Sequence, residues 1–376
     1  MRRSISIHSE PSVLEKIRHL NWGLIFLIIA VSSIGFAALY SAAGGSLSPW
    51  ASKQIVRFCI ATFGMIIVAL IDLKWWFRLT WPLYFLGLFL LLVVEIMGHI
   101  GMGAQRWIDL GFMKLQPSEL MKIVVVMALA RYFHSSTIED MRRLPFLVIP
   151  TLIIIAPVML VLLQPDLGTS LMIVMAGAAM FFMAGASIWL YIGAAVLIAA
   201  SIPLAWNFAL HAYQKQRILT FLNPESDPLG SGYHITQSKI ALGSGGLKGK
   251  GFLEGTQSRL NFLPEKQTDF IFTLWAEEQG LFGGLVLLGL FGLIFFYGLW
   301  ISLRCRQNFA RFLALGLTVN FSLYVFINIA MVMGLIPVVG APLPLISYGG
   351  TSMLAVLIGF GLVMSCSLHH DSKVSR

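Results

Sequence analysis

Residues 145–163 read PFLVIPTLIIIAPVMLVLL and residues 169–185 read TSLMIVMAGAAMFFMAG, with no charged side chain in either run. A short polar link, Gln164-Pro165-Asp166-Leu167-Gly168, joins them. Each run approaches the length a helix needs to cross a hydrocarbon layer of about 30 Å. Neither alternates with period two, so a transmembrane β-barrel is excluded. Backbone in lipid must satisfy its own hydrogen bonds, and a continuous apolar run can do that only as a helix.

Working outward, the same reading applies along most of the chain. Apolar runs predict ten helices at about 22–42, 54–71, 76–97, 117–133, 145–163, 169–185, 188–207, 271–301, 311–335 and 348–367. The whole composition agrees: 57% of the 376 residues are hydrophobic and 11% are charged, with a mean hydropathy of +0.82. A soluble domain carries roughly a quarter charged residues. The sequence therefore predicts an all-α integral membrane protein forming a single polytopic domain over residues 1–376.

The net charge of +9 could suit nucleic acid, but the basic residues collect in short segments between apolar runs. There they orient helices by the positive-inside rule. Arg2, Arg3, Lys16 and Arg18, with no cleavage site after them, predict a cytoplasmic N-terminal segment over 1–21. Lys74, Arg78, Arg131, Arg142, Arg143, Arg304, Arg306 and Arg311 fall on that side, as does a cytoplasmic tail over 368–376 with Lys373 and Arg376. Both termini are thus expected in the cytoplasm. Segments around 43–53, 98–116, 164–168, 208–270 and 336–347 are expected outside. The 208–270 stretch, between the seventh and eighth spans, is one long external loop; loops of that length usually carry function. Cys59, Cys305 and Cys366 lie in or beside spans without ligand spacing, so neither a disulfide nor a thiol metal site is expected.

Five polar clusters interrupt this pattern. Gly103-Ala104-Gln105-Arg106-Trp107 is followed by Gln116-Pro117-Ser118-Glu119, with Lys122 one turn on. Glu119 and Lys122 share a helix face, and a charge at a helix centre costs roughly 2.5–3.5 kcal/mol. They either tie helices together or line a polar cavity. Asp166, at the head of the sixth span, caps that helix or joins the chemistry. In the long loop, GSGGLKGKG over 243–251 combines backbone freedom with Lys248 and Lys250, a combination that suits an anion. It is not a nucleotide loop, because GxxxxGK[ST] is absent. The loop's seven Lys and Arg against five acidic residues also favour an anionic ligand.

Lys266 and Asp269 stand where the loop meets the eighth span. Partial desolvation beside Phe270, Ile271 and Phe272 would raise the Asp269 pKa and suit a general base; the alternative is an interfacial Asp at a helix start. Glu277 and Glu278, two turns on, read as buried partners or a solvated helix start. Last, GLIPVVGAPLPLISYGGTS over 334–352 breaks a helix at membrane depth, which requires burial in protein or a wet cavity.

Taken in order, GAQRW, QPSEL, QPDLGTS, GSGGLKGKG, TDFIF with AEEQGLFG, and GLIPVVGAPLPLISYGGTS resemble the SEDS family (shape, elongation, division and sporulation proteins) across essentially the whole chain. GAQRWIDLG before QPSEL looks like the elongation, RodA-type branch more than the division branch. The resemblance implies a bacterial inner-membrane glycosyltransferase that polymerises lipid II, the undecaprenyl-pyrophosphate-linked disaccharide-pentapeptide. It implies that Asp269 is the catalytic aspartate. Arg106, Lys122 and loop lysines such as Lys248, Lys250 and Lys266 become candidates for the pyrophosphate. Glu119 and Asp166 fall at functional positions, and Trp107 and Ser347 stand in matching motifs as substrate-site candidates. A divalent cation, Mg or Mn, could share the charge, although no metal motif is present. The implied partners are a class B penicillin-binding protein transpeptidase and other membrane proteins of the elongation complex, with no nucleic acid. Two rivals remain: a lipid II flippase or transporter, for which an inverted repeat would speak, and a non-catalytic scaffold.

Overall fold

The computed structural model describes residues 12–97, 99–101, 104–109, 111, 114–164, 166–209, 212–223, 231–260, 262 and 265–369. Arg2, Arg3, Gly103, Pro165, Lys373 and Arg376, all named above, lie outside the described residues.

Ten helices stand where the apolar runs place them. They are α2 (Trp22–Ala42), α3 (Ala51–Leu70), α4 (Leu73–Met97), α5 (Pro117–Phe133), α6 (Leu144–Leu163), α7 (Leu167–Met183), α8 (Ile188–Leu204), α12 (Ile271–Arg304), α13 (Asn308–Val332) and α14 (Gly350–Leu368). Among the described residues, eight helical segments are long and apolar enough to cross a membrane; α5 and α7 are shorter, at 17 residues each, and α5 also carries Glu119, Lys122 and Arg131. A short α1 (Val13–Arg18) precedes them, opened by a capping box in which Ser12 and Glu15 satisfy each other's backbone N–H.

Burial explains why α5 tolerates its charges. It is wrapped by α4, α6, α7, α13 and α14, and it buries Met121, Val125, Val126, Ala128 and Leu129 completely. α13 and α14 share this core, whereas α8 buries none of its residues. Large side chains such as Phe26, Phe63, Phe85, Phe296 and Phe326 point outward. An apolar exterior of that extent belongs in lipid. Where helices touch closely, small residues allow it: a Cβ on Gly361 of α14 would lie 2.7 Å from the Met65 carbonyl of α3.

The two ends of the bundle differ in chemistry. At one end, Asn308 Nδ2 donates to the His134 carbonyl at 3.1 Å, and Ser365 Oγ donates to the Ile71 carbonyl at 2.8 Å. These bonds gather the α3–α4, α5–α6 and α12–α13 connections and the end of α14, together with their Lys and Arg residues.

The opposite end carries two departures from the sequence reading. The 98–116 stretch folds into a small antiparallel sheet, β1 (His99–Gly101), β2 (Ala104–Asp109) and β3 (Lys114–Leu115), in that order. An Asx turn helps to close it, with Asp109 Oδ1 accepting from Gly111 N–H at 2.8 Å while Gly111 holds φ of 82°. The long loop is largely helical where described: α9 (Ala212–Leu222), α10 (Ser231–Ser244) and α11 (Thr256–Arg259). α10 packs on α12, and Ser238 Oγ donates to the Val332 carbonyl at the end of α13.

Candidate active site at the non-basic end

α12 is two helices in one. Gly280 sits at φ 64°, ψ −163°, a conformation open only to glycine, and it breaks the ladder. The Gly-rich segment fills the gap: Lys250 N–H donates to the Glu277 carbonyl (3.1 Å) and Gly251 N–H to the Glu278 carbonyl (3.0 Å). Leu281 N–H and Phe282 N–H return to the carbonyls of Gly246 and Leu247. Backbone broken at membrane depth is thereby satisfied from within the protein. Lys250 Nζ lies 2.7 Å from Glu277 Oε1, which also accepts from Gln257 N–H at 3.0 Å. Ser41 of α2 donates to Glu278 Oε1. Glu277 and Glu278 are therefore buried partners, and the glycines of this loop approach protein backbone. Lys248, by contrast, is exposed.

Asp269 lies in the turn that leads into α12, and its main chain is clamped. Asn328 Nδ2 of α13 donates to the Asp269 carbonyl at 2.9 Å and to the Ala341 carbonyl at 2.7 Å. Ser347 Oγ donates to the Thr268 carbonyl at 2.6 Å and accepts from Leu343 N–H at 2.8 Å. Tyr348 N–H reaches the Gln267 carbonyl, and Gln54 of α3 holds the Ser347 carbonyl at 3.0 Å. The irregular 334–349 segment is thus a brace for the Asp269 turn.

The Asp269 side chain is left without a hydrogen-bond partner: among the described residues no hydrogen bond reaches its carboxylate. Burial pushes its pKa up to about 6; the Glu265 carboxylate adds to the rise and the Arg217 guanidinium of α9 opposes it. Arg217 Nη1 is fixed by donating to the Val338 carbonyl at 3.2 Å. Lys266, in the same turn, has its pKa lowered by burial. Gly340, at φ 74°, faces the carboxylate; a Cβ there would lie 3.6 Å from Asp269 Oδ2.

Asp166 caps α7, accepting from Thr169 N–H at 3.1 Å and from Thr169 Oγ1 at 2.9 Å. Its second role is ionic: Arg106 Nε of β2 lies 3.5 Å from Asp166 Oδ2. Trp107 follows in β2, half-buried and paired with His99. Gly168, the second residue of α7, abuts Val339, whose carbonyl would lie 2.8 Å from a Cβ at that position. The strip 338–340 therefore touches Arg217, the Asp166 cap and Asp269 together.

Deeper in the bundle, Lys122 Nζ lies 2.7 Å from Glu119 Oε1, and Tyr324 of α13 donates to Glu119 Oε2 at 2.8 Å. The ammonium also stands 4.2 Å from the centre of the Tyr324 ring. The pair ties α5 to α13, and Glu119 in addition lines an internal cavity with Asn320 and Tyr324. The tie between helices is visible; the cavity beside Glu119 is lined mostly by apolar side chains such as Ile123, Leu317 and Phe360. Sequence reading did not single out Asn328, Arg217, Gln54, Tyr324 or Ser41. For Asn328 the signal exists, since an Asn inside an apolar span is unusual; Arg217 stands in a basic loop with nothing to distinguish it. Among the described residues no three His, Cys, Asp or Glu side chains are placed to hold a metal ion.

Apolar helices around a buried polar core, with a braced carboxylate and an Arg–Asp pair at one end, define a multi-pass membrane protein bearing a polar site at that end. The chain belongs to the FtsW/RodA/SpoVE family of cell cycle proteins, which it matches over residues 16–372. It is similar to the peptidoglycan glycosyltransferase MrdB of Escherichia coli K12, at 44% identity over 351 residues, covering 93% of this chain and 94% of that one. A probable peptidoglycan glycosyltransferase FtsW of Trichlorobacter lovleyi is 35% identical, with 92% of each chain covered. Among solved structures it resembles the Thermus thermophilus rod shape determining protein RodA, with a TM-score of 0.71 and 28% identity over 94% of this chain and 99% of that one. A chain from work on structural coordination of polymerization and crosslinking by a peptidoglycan synthase complex gives a TM-score of 0.81 at 31% identity, with the same coverage.

Proposed function

We propose that this protein is a peptidoglycan glycosyltransferase of cell elongation, which polymerises lipid II into β-1,4-linked glycan at the outer face of the bacterial cytoplasmic membrane. The similarity to named peptidoglycan glycosyltransferases supports the reaction class. The basic end of the bundle lies in the cytoplasm by the positive-inside rule, which turns the Asp269 end outward. The observation that carries the chemistry is the Asp269 carboxylate, held by its own backbone, bare of hydrogen bonds and raised in pKa.

In this reading the 4-hydroxyl oxygen of one lipid II sugar attacks the anomeric carbon at the reducing end of a lipid-linked chain. A new C–O bond forms there as the bond to the pyrophosphate oxygen breaks, and undecaprenyl pyrophosphate departs with the electron pair. Asp269 accepts the hydroxyl proton; a pKa of about 6 leaves it ionised at neutral pH yet more basic than an ordinary carboxylate. Arg106, aligned by Asp166, faces the developing pyrophosphate charge together with Lys266 and the exposed Lys248. Trp107 packs beside them against the substrate. Ser347, Glu119, Lys122 and Lys250 hold the elements that carry these groups. A divalent cation, if used, is held chiefly by the substrate's phosphates with one or two carboxylates, as is usual for Mg. Likeness to a chain of a peptidoglycan synthase complex supports a cross-linking partner of the class B penicillin-binding type.

The test is a two-way assay in lipid vesicles containing labelled lipid II. Glycan made from externally supplied lipid II supports the polymerase. Passage of label across the bilayer without glycan would make the protein a transporter instead.

A further inference from the structure

The basic end of the bundle holds a second feature that the polymerase site does not use. A cavity of about 430 Å³ opens between α1, the start of α2 and the ends of α12 and α14; Lys16, His19, Trp300, Arg304 and His369 line it, and among the described residues no acidic side chain does. Neither Lys16 nor Arg304 forms an ion pair among the described residues. The Arg304 guanidinium instead lies over the Trp300 ring, 3.9 Å from its centre, which fixes the charge at the cavity wall. Two helices also end here by their C-termini, whose dipoles repel an anion, so the binding charge comes from these side chains.

Below the cavity the surface turns apolar in register. Trp300 is 43% exposed, and Phe296, one turn deeper on the same face of α12, is 64% exposed. α2 repeats the pattern with Trp22 and Phe26, 44% and 66% exposed. Between the two helices Gly23 lies flat against the Tyr297 ring, 3.2 Å from where a Cβ would stand. The result is a cationic pocket with largely apolar walls, set above exposed aromatic side chains of both helices. We infer that this is a binding site for an anionic phospholipid, its phosphate held by Lys16 and Arg304 and its acyl chains lying along these α2 and α12 side chains. Basic residues that merely orient a helix need no cavity, and interfacial tryptophans need no exposed aromatics beneath them. Basic pockets between helices at this level suit diphosphate lipids such as cardiolipin.

The test uses the full-length protein in phosphatidylcholine nanodiscs, titrated with cardiolipin and read by native mass spectrometry. The variant Lys16→Gln/Arg304→Gln removes two charges from the pocket. Arg142→Gln/Arg143→Gln removes two from the exposed α5–α6 connection at the same end and controls for net charge. Since each interfacial basic residue contributes about fivefold to anionic-lipid affinity, the pocket variant should bind cardiolipin at least tenfold more weakly, the control within twofold of wild type. Unchanged melting of both variants in phosphatidylcholine alone shows that they are folded. Equal loss in both variants would mean diffuse attraction and overturn the site. Displacement of cardiolipin by inorganic phosphate at matched concentration would make it a free-anion site and overturn the lipid assignment.

Discussion

Asn328 Nδ2 bridges the carbonyls of Asp269 and Ala341, at 2.9 and 2.7 Å, from inside a membrane helix. One side chain of α13 thereby joins the turn that presents the carboxylate to the Pro-rich segment that backs it. Asn328→Leu keeps the volume and removes both donors, leaving the half-buried Asp269 carbonyl and the buried Ala341 carbonyl without this partner, at a cost of about 1–3 kcal/mol each. The expected outcome is a lower melting temperature and at least a tenfold loss of glycan synthesis, the latter measured with lipid II in excess. Retention of full activity would show that the Asp269 turn does not depend on this bridge.

Gly340→Ala adds a methyl 3.6 Å from Asp269 Oδ2 at a residue with φ 74°. A left-handed backbone costs an L-residue about 1–2 kcal/mol, and the methyl narrows the approach to the carboxylate. Activity should fall more than stability does; thermal melting and initial rates on one preparation distinguish the two.

Lys250 neutralises Glu277, which is fully buried. Lys250→Met leaves that carboxylate without its cation, and breaking a buried pair typically costs about 3–5 kcal/mol. The double variant Lys250→Met/Glu277→Gln removes the stranded charge and should recover most of the loss. Thermal melting of the single and double variants measures this coupling. If the double variant melts no higher than Lys250→Met, the pair is not what holds the Gly-rich loop in the α12 break.

Asp269 also makes a pH prediction. Its folded pKa, about 6, lies above the ordinary carboxylate value of 3.8. As a base it works only when ionised, so kcat/KM should climb as pH rises through about 6 and level above it. Stability runs the other way. The protonated form is favoured by folding, so this group's stabilising contribution is present below pH 4 and lost as pH rises through about 6. Asp269→Asn should therefore melt higher than wild type at pH 7.5, by on the order of 1 kcal/mol once solvent screening is allowed for, and the gain should vanish near pH 4.

How much of this could be read from the chain alone follows from what each feature demands. The ten helices were legible because lipid imposes one solution on every apolar run, and even α5 was found from its length despite Glu119 and Lys122. The resemblance implies the catalytic role of Asp269, whereas its apolar neighbours Phe270 to Phe272 predict only a raised pKa, and burial does raise it. The Lys250–Glu277 pair was hidden, because 27 residues separate its members and Gly-rich sequence suits a ligand or a protein backbone equally. Nothing in the sequence marks Gly280 as a break, although its φ of 64° splits α12. The helix at 231–244 is obscured by polar, glycine-bearing sequence and takes its order from packing on α12 and α13, while the helix at 212–222 packs on α10.

The central claim is that Asp269 removes the proton from the attacking hydroxyl. The most direct measurement compares wild type, Asp269→Asn and Asp269→Ala, each with the proposed partner transpeptidase, for glycan formation and for lipid II binding in the same nanodiscs. The account predicts that both variants bind lipid II within about twofold of wild type and lose at least a hundredfold in polymerisation, in line with removal of a general base. Normal polymerisation by either variant would contradict it and move the base to another residue.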